Sequence, residues 1–300
     1  MQTLFTHIRP DLDAATSVWA YRRFVCPKGE INLVFVPAGW DGVDLQEGDI
    51  ALDIEAGGKG LKGTKCSDGR VMSCFAEIVR GHCTPEEKEI LRPMVEYVEA
   101  QDSTGDAVFE LMKGFFVKMP SPPYTRRMAK SDVPAALRVG SLITVFRAIE
   151  RLSGGKDHQT VLEMGRILDA IFESGIEYRE AAAEAAKSVI VGPAAVLESS
   201  SKNPHIHARI FEANPVVRAI VRLDSPNLAV LRRNDDKANL GEIVRPFVEK
   251  SVPEEAKEWF YHSAGFLAAR GGPKAPVTSP SKVDARKLAQ HIAEILSGRK

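Results

Sequence analysis

Along the first 120 residues, apolar and β-branched runs alternate with segments of helical composition. The strand-like runs cover residues 3–8, 31–37 and 49–54, and the helical segments cover residues 13–24, 72–80 and 86–100. Alternating strands and helices are typical of a parallel α/β sheet. A continuous apolar run such as residues 31–37 is typical of a parallel strand that is buried on both faces. We therefore predict an α/β fold with a parallel-sheet N-terminal domain.

Three prolines within residues 120–123 interrupt this alternation. Proline cannot continue a helix or a central strand, so we predict a linker or a long surface loop over residues 119–127. Helices are predicted over residues 133–152 and 158–188. Further strands are predicted over residues 206–212, 216–223, 228–232 and 260–269, and further helices over residues 241–250 and 283–297. The predicted organisation is an α/β domain (1–125), a helical connector (126–200) and a smaller α+β C-terminal domain (201–300).

Composition adds little that is specific to one function. Of the 300 residues 44% are hydrophobic, and 40 basic residues balance 40 acidic ones, so net charge gives no argument for a polyanionic partner. No apolar run approaches the roughly 20 residues that span a bilayer, and the N-terminus lacks the pattern of a signal peptide. The four cysteines show no C-x-x-C spacing. We expect a cytoplasmic protein with reduced cysteines and no structural zinc site.

One histidine and two aspartates lie close together near the start of the chain, between the first predicted strand and the first predicted helix. They are His7, Asp11 and Asp13. Imidazole and carboxylate are ligands that manganese, magnesium or zinc would take. The alternative is that the aspartates only cap the helix, because Asp before a helix accepts backbone N–H bonds. The later Asp53, at the end of the apolar run 50–52, and Asp102, after a predicted helix, favour a metal site.

The residues around these aspartates resemble the DHH phosphoesterase superfamily. Residues 6–17, with the pattern T-H-x-R-P-D-x-D-A-A-x-S, are similar to its first motif. Asp53, after a short apolar run, is similar to the aspartate of its second motif. The following Gly57 and Gly58 resemble the glycine pair of the Myg-type exonuclease branch.

Later segments continue the resemblance in the same order. Residues 73–79 are similar to the small-residue helix start of the Myg-type branch, and Asp102 matches a fourth motif in which an aspartate follows a long helix. Residues 261–266, Y-H-S-A-G-F, resemble a strand of the Myg-type C-terminal domain. The resemblance therefore covers most of the chain.

The resemblance implies a metal-dependent phosphodiester hydrolase that acts on a nucleotide or a short nucleic acid. One or two divalent ions are expected, manganese first and magnesium as the alternative. The implied metal ligands are His7, Asp11, Asp13, Asp53 and Asp102. The implied catalytic residues are Asp53, as a bridging ligand, and His262. The implied substrate-binding residues are Gly265, Arg270, Gly271, Gly272 and Lys274.

One departure from the superfamily bears on activity. The Asp-His-His triplet that gives the superfamily its name is missing, since residues 59–70 occupy its expected place and contain no histidine. In the superfamily, the first histidine of that triplet ligates one of the two metals. The site could hold one ion or recruit Asp68 or Glu55 instead. The alternative function is a catalytically impaired nucleotide- or nucleic-acid-binding protein on the same fold. For the oligomeric state, the sequence leaves a homodimer and a monomer as alternatives.

Overall fold

The computed structural model describes residues 2–64, 72–107, 141–272 and 275–298. The chain divides into two compact units, Met1–Gly175 and Ile176–Lys300. The predicted linker and the predicted boundary at residue 125 lie outside the described residues, as does the start of the helix predicted over residues 133–152. Among the described helices, none is both long and apolar enough to cross a membrane.

The first unit is built on a three-stranded parallel sheet with strand order β2-β1-β3. Its strands are β1 (Gln2–His7), β2 (Ile31–Val36) and β3 (Ile50–Ala51). Strand β1 is central and pairs with both neighbours, with Leu4 opposite Ile50 and Phe5 opposite Ala51 on the β3 side. The parallel α/β sheet predicted from the sequence is confirmed. The strand predicted over residues 49–54 is shorter, because the chain turns out of the sheet at Asp53.

The described helices of the first unit follow its strands along the chain. These helices are α1 (Leu12–Ala20), which continues into a π-helical turn (Tyr21–Val25), then α2 (Cys74–His82), α3 (Pro85–Thr104), α4 (Leu142–Leu152) and α5 (Asp157–Ala185). Helix α1 contacts strand β1. All nine residues of α1 are buried, and its small side chains allow close packing against neighbouring elements. The residues of α5 are shared between the two units, since the division falls after Gly175.

A six-stranded sheet forms the second unit, with strand order β4-β5-β6-β7-β9-β8. Its strands are β4 (Val189–Val191), β5 (Ala194–Glu198), β6 (Ala219–Asp224), β7 (Asn227–Arg232), β8 (Trp259–Tyr261) and β9 (Leu267–Arg270). Only the β5–β6 pair is parallel among these described strands. Its helices are α6 (Ile206–Ala213), α7 (Leu240–Ser251) and α8 (Ala285–Leu296). One core includes α7 and α8, and a second includes α6 and the end of α5.

Three local predictions in this unit need correction. The strand predicted over residues 206–212 is wrong, because this segment is helix α6, whose Ile206 and Ile210 are one helical turn apart and fully buried. The strand predicted over residues 260–269 is a hairpin of β8 and β9 that turns at Gly265. Strands β4 and β5 lie where the sequence predicted only helical connector. The mixture of strands and helices predicted for the C-terminal part is confirmed.

Candidate metal centre

Two neighbouring strand ends bring His7 and Asp53 together. Strands β1 and β3 are parallel, so their carboxyl ends meet at one edge of the sheet, where functional groups of α/β proteins commonly lie. His7 is the last residue of β1, and Asp53 follows β3 by two positions. His7 Nε2 lies 3.3 Å from Asp53 Oδ2, and the two side chains are 14% and 13% exposed. The pair is therefore largely shielded from water.

Asp11 completes this group from the start of α1. Its Oδ1 accepts the backbone N–H of Ala14 at 3.0 Å, so it is the N-cap of the helix. The same oxygen lies 3.8 Å from His7 Nε2. One possible ligand atom from each of His7, Asp11 and Asp53 lies within 4.8 Å of the others. The two interpretations of Asp11 therefore coexist in one geometry, because capping the helix holds the carboxylate beside His7.

Asp13 has a different set of partners. Its Oδ2 accepts the backbone N–H of Cys74 at 2.8 Å, and its Oδ1 accepts that of Phe75 at 3.0 Å. Ser17 Oγ lies 3.4 Å from the same Oδ1. The carboxylate is buried and satisfies the first amides of α2, which a helix leaves without intrahelical partners. The structure thus ties Asp13 to α2 and does not place it in the close group of three.

Asp102 lies near the end of α3 and is exposed to solvent. Partial burial raises the pKa of Asp102, and the charges of Asp53 and Asp11 raise it further. These interactions place Asp102 within electrostatic reach of the group. Its carboxylate does not converge with the three closest groups, so a direct role as ligand stays a prediction.

The backbone at this edge of the sheet is unusual. Three non-glycine residues adopt the left-handed region, with φ of 54° at Arg9, 57° at Asp53 and 46° at Ala56. Such conformations cost free energy and are concentrated at functional sites. Aspartate tolerates this region better than most residues do. At Asp53 it turns the chain out of β3 while the side chain stays beside His7.

The three converging groups strongly perturb one another's ionisation. The neighbouring carboxylates of Asp11 and Asp53 raise the pKa of His7 to about 10, because both favour the protonated ring. Burial raises the pKa of Asp11, but His7 and the Ala14 amide more than offset it, so the net shift is downward. At Asp53, burial and the charge of Asp11 outweigh His7, and its pKa is raised. Without a metal, the site therefore contains an imidazolium at neutral pH.

The C-terminal residues implied by the resemblance lie in the second unit. His262 Nδ1 accepts the backbone N–H of Ala264 at 3.1 Å, and its ring centroid lies 4.1 Å from that of Phe266. Gly265 forms the turn of the hairpin with φ of 70°. A Cβ at Gly265 would come within 2.8 Å of Asn239 Oδ1 and 2.9 Å of its Cα. The turn and this close approach already account for the glycine.

Arg270 is buried and paired with carboxylates. Its side chain is 1% exposed, with Nε 3.3 Å from Glu255 Oε2 and Nη2 paired with Glu258. Nη1 also donates to the carbonyl oxygen of Ser279 at 2.8 Å. Nη1 and Nη2 are thus occupied by acceptors of the protein, and the whole guanidinium is shielded from water. This geometry argues against the expected phosphate contact and gives Arg270 a role in the core.

The glycines after β9 differ in their surroundings. A Cβ at Gly271 would come within 2.2 Å of Asn227 Oδ1 and 2.6 Å of Val277 Cγ2, so close packing requires glycine there. Gly272 has open space around its Cα, and its φ of 142° favours glycine. Lys274 lies outside the described residues. Substrate binding by these residues stays a prediction.

Sequence reasoning missed Lys62, which also lies at this edge. The charge of Lys62 lowers the pKa of both Asp53 and Asp102, against the effect of burial. No motif marks this lysine in the sequence. The one hint in the sequence is Leu61, an apolar residue between Gly60 and Lys62. Leu61 forms a parallel bridge with Leu52, and this bridge brings the following Lys62 to the same edge.

The converging residues define a candidate site for a divalent metal at the carboxyl edge of a parallel sheet. Comparison of the sequence with models of known protein families finds no match, and no curated protein matches it either. Among solved structures, manganese-bound exonuclease RecJ is 12% identical over 100% of this chain and 90% of that chain, with a TM-score of 0.31.

RecJ in complex with Mg²⁺ from Thermus thermophilus is 12% identical over 99% of this chain and 50% of that chain, with a TM-score of 0.30. An uncharacterized protein from Helicobacter pylori is 11% identical over 99% of this chain and 100% of that chain, with a TM-score of 0.23. Similarity at this level does not define a family.

Proposed function

We propose that this protein is a metal-dependent phosphodiester hydrolase that acts on a nucleotide or a short nucleic acid. The observation that carries the proposal is the convergence of His7, Asp11 and Asp53 within 4.8 Å, from two adjacent strand ends and a helix start. Their order along the chain agrees with the metal motifs that the sequence resembles.

The donor set fits a divalent cation. One imidazole nitrogen and two carboxylates are ligands that manganese accepts, and magnesium would be held mainly by the carboxylates. Asp11 and Asp53 together supply the negative charge that a divalent ion requires. When bound, such an ion polarises a phosphate oxygen and activates water for attack on phosphorus.

The chain's own residues prepare this site before an ion arrives. The cap at Ala14 fixes Asp11, and the strand register fixes His7 and Asp53 relative to each other. The low exposure of His7 and Asp53 limits competition from bulk water and strengthens their electrostatic interactions. Asp13 supports the arrangement indirectly by holding α1 against the start of α2.

The second candidate is a nucleotide- or nucleic-acid-binding protein with an impaired metal centre. It is favoured by the absence of histidine from residues 59–70, where the superfamily has a metal ligand. Both candidates predict binding of a phosphodiester, but only the hydrolase predicts turnover that depends on the metal.

The test uses the full chain purified without chelator. Metal content is measured by elemental analysis, and hydrolysis of the p-nitrophenyl ester of thymidine 5′-monophosphate is followed with added Mn²⁺. We expect bound metal and turnover in the wild type, and loss of both in Asp53→Asn. The matched control is Asp44→Asn, because Asp44 is an exposed aspartate before the same strand. Absence of turnover with thymidine 5′-monophosphate still stabilising the fold would support the binding protein instead.

A further inference from the structure

Lys62 stands beside Asp53 because the chain adds a short parallel segment next to β3. Leu61 forms a parallel bridge with Leu52. The Leu61 N–H donates to the carbonyl oxygen of Ala51 at 2.7 Å, and the Asp53 N–H donates to that of Leu61 at 2.8 Å. Because the two segments are parallel and Leu61 lies opposite Leu52, the next residues along each segment, Lys62 and Asp53, are also neighbours. This backbone register places the two residues next to each other at the carboxyl edge of the sheet.

The charge of Lys62 acts on the acidic group. It lowers the pKa of Asp53 and of Asp102, whereas burial raises both. The lysine is itself exposed, so its side chain can reach a ligand that arrives from solvent. A lysine ammonium has three donors and no acceptor, so it can bind a phosphate oxygen but cannot ligate a cation.

The position of Lys62 along the chain is also informative. It falls within residues 59–70, the place where the resemblance leads us to expect the Asp-His-His triplet. A second expected ligand, Asp13, is bonded to the amides of Cys74 and Phe75. The ligands that remain together are one imidazole and two carboxylates, which suit one ion.

We propose that the Lys62 ammonium takes the place of a second cation, so that one divalent ion and Lys62 together face the substrate phosphate. This inference rests on the proposed function, since it requires that the site bind a divalent ion and a phosphodiester. His7, Asp11 and Asp53 would hold the ion. Lys62 supplies the remaining positive charge and binds a phosphate oxygen of the substrate. Unlike a metal ion, this charge stays in place when a chelator is added.

The first measurement counts ions. The full-length wild type is titrated with Mn²⁺ alone by calorimetry at pH 8, and its metal content is checked by elemental analysis. We expect one ion per chain. Two ions per chain would overturn the inference and leave the proposed hydrolase standing, because a second cation would then occupy the place assigned to the lysine.

The second measurement removes the charge. Lys62→Met eliminates a repulsive charge near the bound ion, so we expect Mn²⁺ to bind on the order of fivefold more tightly. The same variant loses a phosphate contact, so KM for the p-nitrophenyl ester of thymidine 5′-monophosphate is expected to rise about tenfold. Lys62→Arg keeps the charge and should restore both values. The matched control is Lys59→Met, an exposed lysine of the same segment.

The outcomes separate the two proposals. Unchanged Mn²⁺ affinity and unchanged KM in Lys62→Met would overturn the role of Lys62, while metal-dependent turnover would keep the hydrolase. A wild type that binds no Mn²⁺ and hydrolyses no phosphodiester would overturn both. A lysine with only a structural role would lower the unfolding temperature in Lys62→Met and leave ion affinity unchanged, which also counts against the inference.

Discussion

Metal binding should release a proton from His7. The pKa of His7 is raised to about 10, because the carboxylates of Asp11 and Asp53 lie beside Nε2 and stabilise the protonated ring, while Nδ1 lies 3.1 Å from the carbonyl oxygen of Ile8. A metal ion needs the lone pair of a neutral imidazole. At pH 7 the ion must therefore displace a proton held about 3 pH units more tightly than the medium holds it, a cost of about 4 kcal/mol.

The expected result is a steep pH dependence of affinity. Between pH 7 and pH 9, the Kd for Mn²⁺ should tighten about tenfold per pH unit, since one proton leaves for each ion bound. At lower pH the dependence should steepen once Asp53 also takes up a proton, because burial raises its pKa and the ion must then displace a second proton. Calorimetry in two buffers of different ionisation enthalpy measures the released proton directly. His82→Gln, which changes an exposed histidine at the end of α2, should keep the same slope.

In the metal-free protein, the ionisation of His7 should make the free energy of unfolding depend on pH. The folded pKa of His7 is about 10 and the ordinary value for histidine is 6.5, so this stabilisation is complete below pH 6.5 and is lost as pH rises toward 10. The upper limit is about 5 kcal/mol. The raised pKa of Asp53 has the same sign, so this carboxyl also lowers stability as pH rises, over the range between its ordinary pKa and its raised folded pKa. Affinity for Mn²⁺ that is flat from pH 7 to 9, together with an unfolding free energy that is flat over this range, would refute the reasoning.

Three substitutions test the surrounding structure. Asp13→Asn should lower the free energy of unfolding by about 2 kcal/mol, because it weakens the hydrogen bonds to the first amides of α2. A variant that loses Mn²⁺ affinity but keeps its stability would instead identify Asp13 as a metal ligand. Arg23→Met should cost about 1 kcal/mol in urea unfolding, because Arg23 pairs with two carboxylates of α5, whereas Arg22→Met, at an exposed neighbour, should change little. Gly265→Ala should lower the unfolding free energy by about 1–2 kcal/mol, since φ is positive there, and Gly39→Ala, with nothing within 4 Å of the added Cβ, is its control.

The part of the site that could be predicted depends on strand ends. His7 and Asp53 each follow an apolar run, and parallel neighbours end at the same edge, so their meeting follows from a correct assignment of two strands. Asp11 could be predicted as a cap or as a ligand; the structure shows the cap and places the same carboxylate beside His7, and the role as ligand stays a prediction. These inferences need only the local pattern and the parallel sheet.

The remaining features depend on contacts between distant parts of the chain. The partners of Asp13 are backbone amides 61 and 62 residues away, which no spacing of side chains reveals. In the sequence, Arg270 precedes two glycines, a pattern that suggests an exposed phosphate-binding residue. In the structure it is buried and forms ion pairs with Glu255 and Glu258. The β-branched and aromatic residues of 206–212 favour a strand, but the segment forms helix α6 because burial of one helical face outweighs that preference.

The protonated imidazole of His7 has a consequence for handling the protein. An imidazolium between the two carboxylates reduces their mutual repulsion. When a metal ion is removed, His7 takes up a proton, and its positive charge replaces part of the charge of the ion. Many small metal domains unfold when they are chelated, because the ion is part of their folding free energy. Here a chelated sample should stay folded and bind an ion again when it is diluted into a manganese solution. The measurable change should be proton uptake when the ion leaves and proton release when it binds.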